Sequence, residues 1–170
     1  KKIVAGLLHF ARQNKVVLKE DDIFDLVDRV LKVTQTTDRI KVEVVREIDD
    51  PIVDIDSDQV VQVITNLVNN ALNAMQLEKE GLLKIESTGY EKKVKISVSD
   101  TGVGVPEENI PKLFEPFFTT KAFGEGTGLG LAVTYGIVKM HRGDIKVESN
   151  ADVDKGPTGA TFTVILPRRG

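Results

Sequence analysis

Four amide side chains, Gln62, Asn66, Asn70 and Asn73, recur at spacings of four, four and three within DSDQVVQVITNLVNNALNAMQ. At 3.6 residues per turn they form one stripe along a helix. Val60, Ile64, Leu67, Val68, Ala71, Leu72 and Met75 take the other side. A solvated helix face ordinarily carries Glu and Lys, and Asn is a poor helix former. Two kinds of chemistry suit the stripe. A carboxamide oxygen is a hard, neutral ligand for Mg²⁺, which takes few protein ligands and keeps phosphates and waters. The amide NH₂ groups also donate to phosphate oxygens. A polar network capping the core is the other reading, and the stripe taken alone favours it.

Asp100 is the second candidate, at the end of the strand-like VKISVS and the start of DTGVGVP. An ionised carboxylate only accepts hydrogen bonds, which suits an exocyclic amine such as that of adenine. Gly102 and Gly104 would let a planar ligand approach the backbone. An Asx-turn after a strand accounts for the same residues. The third candidate is GEGTGLGLAV, Gly124 to Val133, with a glycine at every second residue before an apolar helix-like run. Bare backbone N–H groups at a helix N-terminus favour an anion, and a flexible hinge explains the glycines equally well. The common phosphate loops fail on spacing. No glycine supplies GxxxxGK[ST], and the positions that would complete GxGxxG hold Leu129 and Leu131. HRGD at His141 to Asp144 is not the protein-kinase catalytic loop, and there is no DFG.

Periodicity indicates the elements that position these groups. Lys1 to Lys15 has Ile3, Val4, Leu7, Leu8 and Ala11 at helical spacing, as in the tail of a longer helix. Val16 to Leu18 is a short strand candidate. DDIFDLVDRVLKV predicts a helix capped by Asp21 or Asp22. IKVEVVREI alternates as a strand. The amide-bearing helix opens with Asp56 and Gln59 in a capping-box pattern. LLKIEST and KVKISVSD predict two strands joined around Gly89–Tyr90. Thr101 to Thr127 contains Pro106, Pro111 and Pro116 and no sustained period. Such a long irregular segment in a compact domain is usually functional. Leu129 to Met140 predicts a helix, and DIKVES and GATFTVILP two further strands. The class is α+β, with a mixed, largely antiparallel sheet and helices on one face.

Composition sets the frame. The chain has 170 residues, 41% hydrophobic and 29% charged, as expected of one globular domain. A net charge of −3 makes no case for nucleic acid or a membrane surface. The absence of cysteine excludes a disulfide framework and any Cys-based nucleophile or metal site. No signal peptide or bilayer-spanning run is visible, which points to the cytoplasm. A chain opening on KKIV, without Met, is expected to be a piece of a longer protein, whose other segments include membrane ones in some cases.

Taken together, four stretches resemble the catalytic ATP-binding domain of two-component sensor histidine kinases, in the GHKL superfamily. QVITNLVNNALNA looks like the N box, DTGVG the first glycine box, LFEPFFTTK the F box and GEGTGLGLAV the second glycine box. IVKMHRGDIKVES and GATFTVILP are similar to the closing helix and strands. The order matches across about residues 15–168. FFTTK and GTGLGLAV lean toward the nitrogen-regulation type. The resemblance implies a two-layer α/β sandwich, the Bergerat fold, holding Mg·ATP under a mobile lid. It divides the chain at residues 1–14, the remnant of a dimerisation and phosphoacceptor hairpin, and 15–170, the ATP-binding domain.

Residue by residue, the resemblance makes Asn70 the Mg²⁺ ligand and places Asn66 one turn earlier, near the phosphates. Asn73 falls where many relatives carry Lys. Asp100 matches the adenine-binding aspartate, with Gly102 and Gly104 as its glycines. Gly126, Thr127, Gly128, Leu129 and Gly130 match the lid hinge and phosphate-facing turn. Lys121 would reach the γ-phosphate as a point charge. Phe114, Phe117 and Phe118 would anchor the lid or dock partner helices, or simply pack the core. Ala160 stands where many relatives have Thr. The implied activity is transfer of the γ-phosphate of ATP to a histidine. His9 and His141 match positions that do not accept phosphate, so the acceptor hairpin is expected elsewhere. The implied partners are that hairpin, a response regulator and a second copy of the full-length protein. The alternatives are an ATP-hydrolysing clamp and a nucleotide-sensing module without transfer. The clamps use a glutamate base where this chain has Asn66, and an amide cannot take a proton from water at neutral pH.

Overall fold

The structure, a computed structural model, describes residues 16–90, 92–115 and 130–168. Helix α1 (Ile23–Val33) forms where Ile23, Leu26, Val27 and Val30 repeat on one buried face. Asp22 caps it by accepting the Phe24 N–H at 2.8 Å. The strand expected at Val16–Leu18 lies instead at β1 (Lys19–Asp22), and Val17 and Leu18 are exposed. β1 pairs antiparallel with β3 (Ile52–Ile55), which the sequence pattern did not single out. KEDD has no apolar alternation, so its strand exists through that pairing and not through propensity.

Five strands make the main sheet: β2 (Ile40–Glu47), β4 (Gly81–Tyr90), β5 (Lys93–Ser99), β6 (Asp144–Asn150) and β7 (Gly159–Pro167), in the order β2-β4-β5-β7-β6. β2 and β4 are parallel and every other neighbouring pair is antiparallel. The expected mixed, mostly antiparallel sheet is therefore present. The turn between β4 and β5 comes slightly later than expected, because Gly89 is still paired, with Val94.

A parallel pair needs a crossover. Here it carries β3 and helix α2 (Ser57–Ala74). α2 and helix α3 (Gly130–Met140) bury the inner face of the sheet, where Leu83, Ile85, Ile96, Val98, Phe162 and Val164 are all 2% exposed or less. Each such side chain contributes about 1.5–3 kcal/mol of transfer free energy. The outer face is polar, with hydroxyl pairs Ser97–Thr163 at 3.0 Å and Ser99–Thr161 at 2.9 Å. The result is the two-layer sandwich with helices on one side. No described helix is long and apolar enough to cross a membrane.

His141 joins the two helices at their far ends. Its Nε2 accepts the Asp56 N–H at 3.1 Å, so the ring proton sits on Nδ1 and is donated to Ile137 O at 2.9 Å. Asp56 caps α2 by accepting Gln59 N–H at 3.4 Å, while its own N–H goes to His141 and so cannot complete a capping box. The irregular stretch after β5 contains one 3₁₀ turn, Glu107–Lys112, and its continuation from residue 116 to 129 lies outside the described residues.

Candidate functional site

Asp100 stands where β5 hands the chain to the glycine loop. Its N–H still donates to Ala160 O at 2.9 Å, so the sheet fixes its backbone. Its Oδ1 accepts the Gly102 N–H at 2.8 Å, the Asx-turn that the sequence allows. The residue is only 8% exposed. Burial pushes its carboxyl above the ordinary value, while hydrogen bonding from the Gly102 and Ala160 backbone pulls the other way. An ionised carboxylate has about four acceptor positions, so the Asx-turn leaves capacity for a donor from outside.

The two glycines are required by contact. A Cβ on Gly102 would lie 2.3 Å from Ala74 O and 2.8 Å from Ala74 Cβ. Gly104 has φ +75°, and a Cβ there would lie 2.2 Å from Asn150 O. The loop is therefore pressed between the C-terminal end of α2 and the end of β6. Val103 N–H donates to Ala74 O at 3.1 Å. Thr158 Oγ1 donates to Gly102 O at 2.7 Å from the other side.

The amide stripe approaches the same place. Asn70 is half-buried and Asn73 exposed, both in the last turns of α2, whose final residue is the Ala74 that the loop touches. Asn66, farther up the helix, donates through Nδ2 to Gly130 O and to Thr134 Oγ1, each at 3.2 Å. Thr134 Oγ1 in turn donates to Gly130 O at 2.9 Å. Asn66 thus ties α2 to the first turn of α3, directly after the glycine-rich stretch. One helix therefore meets both glycine boxes: the first at its C-terminal end, the second box's last glycine through Asn66.

Lys121, Gly126, Thr127, Gly128 and Leu129 lie outside the described residues, as do His9, Phe117 and Phe118. Gly130 opens α3. Phe114 packs against Tyr135 of α3 with ring centroids 5.5 Å apart. A cavity of about 10 Å³ between α2, α3 and the sheet is lined by apolar side chains and His141. Both ring nitrogens of His141 are already bonded, so this space is a packing gap with no ligand chemistry. A wide groove of about 770 Å³ opens beside Arg39, Gly81 and Thr101, and neither Asn70 nor Asp100 lines it.

The residues fit a magnesium nucleotide in kind. A buried carboxylate with spare acceptor positions suits an adenine amine, and a loop with no room for Cβ atoms suits a planar ring. Among the described residues no group of three or more His, Cys, Asp or Glu gathers to hold a metal. Mg²⁺ held by one neutral Asn70 oxygen, with phosphates and waters completing the shell, asks for no such group.

Four residues of this region escaped the sequence reading: Arg39, Thr101, Thr134 and Thr158. Thr101 Oγ1 accepts the Leu82 N–H at 3.0 Å and closes the start of β4. Thr134 alone carried a signal, a small hydroxyl side chain in a largely apolar helix, one turn after Gly130. The other three act through backbone groups distant in sequence, which no local pattern reveals.

Residues 55–170 match the family described as histidine kinase-, DNA gyrase B-, and HSP90-like ATPase. The chain is 35% identical over 170 residues to the signal transduction histidine-protein kinase AtoS of Escherichia coli K12. That alignment takes in 98% of this chain and 26% of AtoS, so the chain spans about a quarter of that relative's length. Among solved structures it is similar to ShkA, crystallised full-length in complex with AMPPNP, at a TM-score of 0.80 and 25% identity, covering 98% of this chain and 35% of that one. It is also similar to the histidine kinase ThkA in complex with the response regulator protein TrrA, at a TM-score of 0.79 and 29% identity, covering 98% and 46% of the two chains.

Proposed function

This chain belongs to the histidine kinase-, DNA gyrase B-, and HSP90-like ATPase family, and we propose from that premise that it binds Mg·ATP and presents the γ-phosphate to a histidine on a separate helical hairpin. The observation that carries the reading is the seating of the Asp100 loop on the end of the amide-bearing helix, through Gly102 against Ala74. It brings a group suited to adenine and groups suited to magnesium and phosphate to one helix terminus. Asp100 accepts the adenine amine while Gly102 and Gly104 leave space for the ring. Asn70 offers its oxygen to Mg²⁺, whose part is to neutralise phosphate charge. Asn73 and Lys121 contribute donors on the phosphate side, and Gly126, Thr127, Gly128 and Leu129 wrap it with backbone N–H groups.

Asn66 holds the lid's helix through Gly130 O and Thr134. Because its NH₂ group is committed as a donor and its oxygen is a weak base, no group at this position takes a proton from water. That favours transfer by positioning and charge stabilisation over hydrolysis. Residues 1–14 belong in this reading to the end of the acceptor hairpin, and residues 15–170 form the ATP-binding domain. The full-length protein is a homodimer of the nitrogen-regulation type, signals to a response regulator, and keeps this domain in the cytoplasm. ShkA with AMPPNP and ThkA with TrrA are the precedents for nucleotide and regulator.

The test is to mix this chain with a separately made acceptor hairpin and γ-labelled ATP. Label on the hairpin histidine is expected. Free phosphate without labelled hairpin would favour the clamp, and binding without either product would leave a sensing module.

A further inference from the structure

α2 ends without a basic residue in its last turn, although the exposed carbonyls of a helix C-terminus favour a cation there. The cation comes from elsewhere in the chain. Arg39, just before β2, donates from one guanidinium nitrogen to Met75 O at 2.8 Å and Glu78 O at 2.6 Å, and from the other to Gln76 O at 3.1 Å. Its own carbonyl accepts the Gly81 N–H at 2.9 Å, which pins it to the start of β4. A planar fork reaching three carbonyls of one turn is a geometry that a lysine cannot fully reproduce.

That turn is the platform of the candidate site. Met75 is completely buried, and Thr101 Oγ1 lies 3.5 Å from its sulfur. Ala74, one residue earlier, carries the carbonyl that receives Val103 N–H and leaves no space for a Cβ on Gly102. Asp100, by contrast, is anchored to the sheet through Ala160 O. Arg39 therefore links the helix bearing Asn70 and Asn73 to the sheet bearing Asp100, at the joint between them.

We propose that Arg39 is a positioning residue for the nucleotide: it holds the phosphate-side amides at the correct distance from the adenine-side carboxylate. It touches no ligand and acts through the α2 terminus. The proposal rests on the Mg·ATP reading above. Without Arg39 the end of α2 shifts against the sheet. A ligand that spans both sides then binds poorly, while one that needs only the adenine side is spared.

The experiment titrates wild type, Arg39→Gln and Arg39→Lys with Mg·ATP by calorimetry and with adenosine by NMR, well below the melting temperature. Arg39→Gln is expected to weaken Mg·ATP about ten-fold or more while adenosine affinity stays within about two-fold. Arg39→Lys is expected to fall between, at about three- to five-fold. An unchanged ratio of the two affinities in Arg39→Gln, whether both hold or both fall together, overturns the proposal. If Arg39→Gln does not fold, Arg39→Lys decides by the same ratio. Wild type that fails to bind Mg·ATP sinks the site reading itself, whereas wild type that binds alongside variants of unchanged ratio sinks the role of Arg39 alone.

Discussion

Gly102→Ala removes the fit between loop and helix with one methyl group. The new Cβ would sit 2.3 Å from Ala74 O and 2.5 Å from its carbonyl carbon, against an ordinary separation of at least 3.4 Å. Gly102 is not among the residues of positive φ, so the effect is steric and not conformational. The obstacle is helix backbone, which cannot rotate aside, and the loop must retreat by about 1 Å. Overpacking of this kind costs about 1–3 kcal/mol. The Val103 N–H to Ala74 O bond of 3.1 Å stretches with it, at about 1 kcal/mol. The sum is roughly 2–4 kcal/mol, which in a domain of this size lowers Tm by roughly 5–15 °C. Since the same retreat moves Asp100's loop away from Asn70, Mg·ATP affinity should fall about ten- to hundred-fold. Thermal unfolding and calorimetric titration read the two effects. Gly130→Ala is the control, because nothing lies within 4 Å of its added Cβ, and its Tm should stay within about 2 °C of wild type. Gly102→Ala with wild-type Tm and wild-type affinity would refute the close docking of loop on helix.

Two further outcomes follow from the buried polar groups. Burial raises the Asp100 pKa, so the folded state binds its proton more tightly than the unfolded chain; the stability from this group is complete below the unfolded value and is lost as pH rises through the folded one. Asp100→Asn keeps an acceptor for Gly102 N–H without that loss. Its nucleotide-free Tm relative to wild type should therefore be higher at pH 7 than at pH 3.5, and an equal difference at both pH values would argue against the burial effect. His141→Ala leaves Asp56 N–H without its acceptor and opens a hole between the helix ends, at roughly 2–4 kcal/mol. Tm should drop by roughly 5–15 °C with Mg·ATP affinity at low temperature unchanged within about two-fold; a selective loss of affinity would contradict a purely structural histidine.

Much of this fold is legible in the residues. The helices were visible because Ile23, Leu26, Val27 and Val30, or Val60, Ile64, Leu67 and Val68, repeat on faces that the structure buries. β5 and β7 were visible because their alternation matches one buried and one solvated face. β1 and β3 were not, because KEDD carries no apolar residue to alternate and IVDI is only four residues long. The site divides in the same way. Asp100, Gly102 and the asparagines announce themselves by type and spacing. Arg39, Thr101 and Thr158 do not, because each holds a main-chain group at least 19 residues away. Their contribution depends on where the backbone ends up, which composition and periodicity do not encode. The stripe on α2 divides by position: Asn66 ties the helix to Gly130 and Thr134 of α3, while Asn70 and Asn73 lie toward the end of the helix where the Asp100 loop docks.

The most direct test of a two-ended grip on one magnesium nucleotide is a calorimetric comparison of Mg·ATP binding by wild type, Asn70→Asp and Asp100→Asn. Asn70→Asp adds negative charge on the phosphate side, and Asp100→Asn removes the charged acceptor on the adenine side; each should lose at least about ten-fold in affinity. Wild-type affinity in both variants would contradict it.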